Sequence, residues 1–175
     1  MQQQASYDKL ALSSPRLGVA ICTFNSEDVI LDCLESLLAS VGVELSIVIV
    51  DNASTDGTVA LIQDWAAGRS IYKLAEDCPF VLKPMARSLP LSLDGSLLSG
   101  FPHRITLVEN EVNGGFAAGV NAGLMLLSAE RDLDRFWILN PDSMVPKDTA
   151  HAFATQAAPL GGFALMGGRV LYLDT

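Results

Sequence analysis

The sequence predicts an α/β fold, a Rossmann-like sandwich around a mostly parallel central sheet. Two nearly continuous apolar runs, "RLGVAICTF" ending before Asn25 and "LSIVIV" ending at Asp51, have the character of strands buried on both faces. The segment between them, "SEDVILDCLESLLAS", places Val29, Ile30, Cys33, Leu34, Leu37 and Leu38 at helical spacing. A strand, a helix and a strand of this kind, repeated along the chain, imply parallel pairing through right-handed crossovers.

Each element follows from a local signal. Ser26 is a candidate N-cap for the first helix, with acidic residues in its first turn. "TDGTVALIQDWAAG" reads as a second helix closed by Gly68, with Asp56 or Thr55 as its cap. "RITLVEN" reads as a strand, "GFAAGVNAGLMLLSAE" as a helix and "FWILNP" as a short buried strand. "KDTAHAFATQAA" suggests another helix, and "GGFALMGGRVLYL" supplies further strand material.

Between about residues 75 and 103 the rhythm breaks: four prolines, scattered leucines and no clear period mark an irregular insertion, a lid or a disordered excursion. Residues 1–15 read as a flexible tail, and residues 16–175 as one domain.

Half of the 175 residues are apolar, enough for one packed core. A net charge of −9 and no basic run argue against nucleic acid or an anionic membrane as partner. Three cysteines, Cys22, Cys33 and Cys78, lack zinc-site spacing and suggest reduced thiols, the first two in the core. No run approaches a membrane span, so the expected setting is cytoplasmic, or peripheral at the inner face of the membrane. His103 and His151 have no metal-like partner at helical spacing and read as surface or packing residues.

In an open parallel sheet, ligands bind outside the carboxyl ends of the strands. Four strand ends finish in short polar side chains: Thr23 to Asn25, Asp51 to Asp56, Glu109 to Gly115, and Asn140 to Asp142. Gly114 and Gly115, just before a helix, permit a tight turn and close backbone approach to an anion. A GxGxxG fingerprint and a Walker A loop are both absent, which disfavours nicotinamide or flavin enzymes and P-loop ATPases. Asp142 either caps a turn after Pro141 or holds a hard divalent cation. Asp51 either bonds its own loop or faces a base or ribose.

The motifs "AICTFNSEDVILDCLESLL", "IVIVDNASTDGT", "NGGFAAGVNAGL", "WILNPDS" and "GGRVLYLDT" together resemble the family 2 inverting glycosyltransferases of the GT-A fold, particularly their rhamnosyltransferase-like branch. The resemblance runs from Leu17 nearly to the end, leaving out the insertion. It implies a UDP- or dTDP-linked sugar as donor, and a saccharide or lipid-linked acceptor in cell-surface polysaccharide synthesis. By resemblance, Thr23, Phe24 and Asn25 line the base pocket and Asp51 contacts the base or ribose. Asn113, Gly114 and Gly115 lie beside the nucleotide, with Asn121 a weaker candidate on the same helix.

"NPD" resembles the family's DxD motif, with Asp142 as ligand to magnesium or manganese. Asn140 stands where many members carry the first Asp, which lowers the charge of the site. The resemblance places the catalytic base after "GGRVLYLDT", hence beyond Thr175, with the acceptor-binding part, so this chain corresponds to the donor-binding part. The alternatives are a non-catalytic module that binds nucleotide sugars and, more distantly, a sugar nucleotidyltransferase. The acidic "TFNSED" lacks the Gly, Arg and Lys of the latter's phosphate loop.

Overall fold

The computed structural model describes residues 14–74, 78, 80–84, 89–133, 135–157, 165–168 and 170. Four strands, β1 (Arg16–Thr23), β2 (Glu44–Asp51), β3 (Arg104–Glu109) and β4 (Phe136–Leu139), form one sheet in the order β3-β2-β1-β4. All three pairings are parallel. The helices are α1 (Ile30–Leu38), α2 (Thr58–Ala66), α3 (Phe116–Ser128) and α4 (Thr149–Thr155). The chain builds outward from β1 to β3, then α3 carries it across the sheet to β4 on the far side of β1. The strand order therefore reverses between β1 and β4, where such sheets open a crevice for ligands.

The alternation of side chains along each strand sorts the core into two layers. Leu17, Val19 and Ile21 of β1 and Leu45, Ile47 and Ile49 of β2 share one face with Ile30, Leu34 and Leu37 of α1 and Ile62 and Trp65 of α2. The indole N–H of Trp65 donates to the buried Glu35 carboxylate at 2.7 Å. On the other face Ala20, Val48 and Val50 meet Leu127 of α3.

That second layer is thin because the residues facing it are small. A methyl group built on Gly119 would lie 2.3 Å from the Cys22 Sγ, and one on Gly123 3.2 Å from the Cβ of Ala20. The glycines let the backbone of α3 lie directly on the strands.

β4 corrects the expectation of a fully buried strand. Trp137 and Leu139 pack inward, Trp137 against Phe153 of α4 with ring centroids 4.7 Å apart. Phe136 and Ile138 are 42% and 47% exposed. They share the α3 face of the sheet, but β4 is an edge strand and α3 lies over β1 and β2.

Ser26 also departs from expectation. Helix α1 begins at Ile30 with no side-chain cap, and the Ser26 hydroxyl bonds the Phe24 carbonyl instead. The expected strand near the end falls mostly outside the described residues, and residues 165–168 are not in a strand.

The described part of the insertion packs against the sheet. The Leu107 N–H donates to the Leu93 carbonyl at 2.9 Å and the Gly95 N–H to the Ile105 carbonyl at 2.9 Å, an antiparallel edging to β3. Leu91 and Phe101 enter the main core.

His103, at the end of this segment, is 1% exposed. Its Nδ1 accepts the Leu45 N–H at 3.2 Å, and its ring meets Phe101 edge-on. Burial pushes its pKa down to about 4, and the Leu38 carbonyl offsets this only in part.

The unfolded chain, with an ordinary histidine pKa near 6.5, therefore binds the extra proton first as pH falls. The resulting stability is fully present above about pH 6.5 and is lost progressively toward pH 4, by roughly 3 kcal/mol. Urea denaturation from pH 7.5 to 4.5 should show this slope in the parent chain and a flatter one in His103→Gln. Parallel slopes would exclude His103 as the cause.

Candidate functional site

The site is built at the carboxyl edge of the sheet. Thr23, Asp51 and Glu109 stand side by side in one register row, and β4 ends two residues earlier, with Leu139 beside Ile21. The chain leaves each strand into a polar loop, and hydrogen bonds fix the loops after β1, β2 and β3 relative to one another.

The loops after β1 and β2 interlock. The Asn25 N–H donates to the Ser54 Oγ at 2.9 Å and the Asn25 Oδ1 accepts the Thr55 N–H at 2.8 Å. The Ser26 N–H donates to the Thr58 Oγ1 at 2.8 Å, and the Glu27 carboxylate accepts the Gly57 N–H at 2.6 Å. Asn25 and Ala53 hold positive φ angles of 51° and 62°, the left-handed region that L residues seldom occupy. Sharp backbone reversals of this kind are held at sites by their surroundings.

Gly57 rather than Asp56 or Thr55 holds the N-cap position of α2, and Asp56, one residue earlier, accepts the Thr58 N–H on its Oδ1 at 3.0 Å. Slight desolvation opposes ionisation, but hydrogen bonds from the Thr58 hydroxyl and N–H outweigh it and lower the Asp56 pKa.

Asp51 is buried and its carboxylate is engaged. Oδ1 accepts the Thr23 hydroxyl at 3.0 Å and the Ser54 hydroxyl at 2.5 Å, while Oδ2 accepts the Ser54 N–H at 2.9 Å. Local bonding thus holds in full, and a ligand could use only the lone pair left on Oδ2. Thr23 is fully buried, and Phe24 is 48% exposed at the rim.

Sequence reasoning noted Asn52 at a strand end but gave it no role, and the structure makes it the centre of the edge. At 2% exposure it fills four hydrogen bonds. Its Nδ2 donates to the Asn113 Oδ1 at 2.8 Å and the Gly115 carbonyl at 3.1 Å. Its Oδ1 accepts from the Asn110 side chain and the Gly114 N–H, each at 3.2 Å. Asn52 thereby ties the end of β2 to the turn that opens α3. The sequence signal was its position directly after the Asp51 that ends β2, one polar residue among several.

The tight turn expected at the two glycines is braced from within the protein. The Gly114 N–H is taken by Asn52 and the Gly115 N–H by the Asn113 Oδ1 at 2.8 Å. The requirement for glycine at 115 is conformational: φ 83° and ψ 166° lie in a region essentially closed to other residues. Asn121 sits half a turn around α3 from Gly119 and Gly123, hence on the outer face, away from the rest of the edge.

Asn140 and Asp142 follow β4 and are both exposed. The Asp142 carboxylate has no hydrogen-bond or ion-pair partner among the described residues, unlike Asp51. Beneath the turn, Cys33 is fully buried. Burial first, then the Asp142 and Asp32 charges, push its thiol pKa up to about 12, so it is no nucleophile. Among the described residues no group of three His, Cys, Asp or Glu side chains could hold a metal ion by itself. Asp142 fits a cation shared with an anionic ligand, which is how magnesium and manganese are commonly bound beside phosphates.

Comparison with known proteins gives a family match over part of the chain and a shared fold. Residues 18–77, from β1 to beyond α2, match the model of glycosyl transferase family 2. No curated protein matches the chain.

Among solved structures, the chain is similar to S. aureus TarS 1-349, with a TM-score of 0.50 and 19% identity over 77% of this chain and 29% of that one. It is also similar to the mannosyltransferase PcManGT from Pyrobaculum calidifontis, in complex with GDP-Man and Mn2+. There the TM-score is 0.52, with 22% identity over 79% of this chain and 31% of that one. The fold is that of the GT-A glycosyltransferases. The chain spans less than a third of the length of these two structures. No helix among the described residues is long and apolar enough to cross a membrane.

Proposed function

We propose that this chain is the donor-binding part of an inverting glycosyltransferase of the rhamnosyltransferase-like branch, a hexosyltransferase that takes a sugar from a UDP- or dTDP-linked donor. The acceptor is a saccharide or lipid-linked saccharide in surface polysaccharide synthesis, on the cytoplasmic side of the membrane. One observation carries the reading. On a sheet of which β1 and β2 fall within the family 2 match, the carboxyl ends at the reversal of strand order carry the loop after β1 and Asp142, a carboxylate without a partner among the described residues. The family match and the GT-A fold support sugar transfer in general, and the motif resemblance supports the finer assignment.

In this reading the nucleoside lies over the ends of β1 and β2. Phe24 and Asn25 line the base, and Asp51, with the lone pair left on Oδ2, faces the base or ribose while Thr23 and Ser54 hold it in place. Asn113 and the Gly114–Gly115 turn, braced by Asn52, border the nucleotide. Asp142 would hold magnesium or manganese together with the donor diphosphate, with Asn140 beside it as a neutral neighbour. Bound there, the cation would stabilise the charge of the departing nucleoside diphosphate. In inverting transfer the acceptor oxygen bonds the anomeric carbon from the side opposite the leaving diphosphate, while a base takes the acceptor proton. That base belongs to the acceptor part.

Calorimetric titration of the chain with UDP and dTDP, with and without manganese, tests the assignment. Binding should strengthen with manganese, and Asp142→Ala should abolish the gain while leaving metal-free binding intact. Equal affinities for the parent and Asp142→Ala in manganese would refute the role of Asp142.

A further inference from the structure

We infer that Ser36, buried on α1 and 106 residues before Asp142 in sequence, is a positioning residue that sets the aim of Asp142. The inference rests on the donor-site reading above. The loop after β4 is mounted differently from the other three. Those are bonded to one another through Asn25, Glu27, Asn52 and their partners. No hydrogen bond among the described residues joins residues 140–148 to them.

The β4 loop is fastened instead to α1 and the residue chain that follows it. The Ser36 hydroxyl, 0% exposed, accepts the Val145 N–H at 3.1 Å and donates to the Cys33 carbonyl at 2.9 Å. The Cys33 thiol points at the Asn140 carbonyl at 3.6 Å, and the Val41 N–H donates to the Lys147 carbonyl at 2.9 Å. Val145 itself is buried in the main core. Inside the loop before Pro146, the Ser143 N–H to Asn140 carbonyl bond, at 3.2 Å, is the one backbone bond among the described residues.

Two consequences follow from this mounting. Removing the Ser36 hydroxyl leaves the Val145 N–H buried without a partner, three residues from Asp142, and the loop must shift to rehydrate it. The network beside the nucleoside is separate and stays in place. Groups that hydrogen-bond a metal-ligating side chain typically set affinity by tenfold or more, and Ser36 acts one step further out, through the Val145 backbone.

The test is calorimetric titration of the full chain with UDP, or dTDP where it binds more tightly, with and without manganese. Ser36→Ala should cut the manganese-dependent gain in nucleotide affinity about tenfold while metal-free affinity stays at the parent value. Ser36→Thr, which keeps the hydroxyl, should restore most of the gain. A gain in Ser36→Ala equal to the parent's, with Asp142→Ala losing it, would overturn the role of Ser36 and leave the donor site standing. Loss of metal-free binding in Ser36→Ala would overturn it too, by showing a general structural role. Absence of any manganese gain in the parent chain would remove the donor-site reading itself, and the inference with it.

Discussion

Replacing Gly119 with leucine is expected to destabilise the chain by about 3 kcal/mol, near the top of the range for overpacked cores. Leucine is the better helix former by close to ~1 kcal/mol, so propensity alone would predict a gain. The clash outweighs it because even the first added carbon would lie 2.3 Å from the Cys22 Sγ and 3.3 Å from its Cβ. Cys22 sits in the central strand β1, paired with Val50 of β2 and one residue past the last pair with β4, and cannot retreat without distorting the sheet. Helix α3 would have to lift, carrying the Gly114–Gly115 turn with it.

Urea unfolding should show a lower midpoint for Gly119→Leu. Ala117→Leu, exposed two residues earlier on the same helix, should stay within about 0.5 kcal/mol of the parent. Equal midpoints for the two variants would mean that α3 does not lie on the sheet as described.

The second large effect is expected at Asn52. Asn52→Ala removes a buried amide that satisfies Asn110, Asn113, Gly114 and Gly115. Asn113, Gly114 and Gly115 are exposed enough to rebind water, which holds the loss to about 2 kcal/mol.

Asn52→Asp distinguishes geometry from size. A carboxylate of the same shape can still accept from Asn110 and Gly114, but it cannot donate to the Asn113 Oδ1 or the Gly115 carbonyl. It would also bring a second negative charge beside buried Asp51. We expect Asn52→Asp to be at least as destabilising as Asn52→Ala at pH 7, and both to weaken UDP binding. An Asn52→Asp chain with parent stability and parent affinity would show that the turn holds itself.

Much of the sheet was legible because β1 and β2 are central parallel strands, and a strand covered on both faces must be apolar at every position. The same logic misjudged β4. "FWIL" is as apolar as the central runs, and what distinguishes it is its place at the edge, which depends on where α3 carries the chain. The helix centres were legible from spacing, whereas the first helix begins four residues after Ser26: the Ser26 N–H bonds the Thr58 hydroxyl, and its carbonyl accepts the Val29 and Ile30 N–H groups in a turn that leads into the helix.

At the site, the convergence of four polar strand ends was visible from sequence, since it follows from topology alone. The division of labour within it was not. Asp51 and Asp142 are both carboxylates after apolar runs, and only the positions of Thr23 and Ser54 show that the first is held internally. The glycines of "NGGFAAG" suggested an anion cradle. Their actual constraints are a positive φ at Gly115 and contact with Cys22 at Gly119, the second set by a residue 97 positions away. Nothing in the sequence singles out Ser36 or His103, and their roles come from partners on other elements.

The most direct test of the central claim is a crystal structure of this chain with UDP and manganese. The account predicts the uracil at the ends of β1 and β2 beside Phe24 and Asp51, and the diphosphate and metal ion at Asp142. A nucleotide seated elsewhere on the molecule, or a metal ion bound with no contact to Asp142, would contradict it.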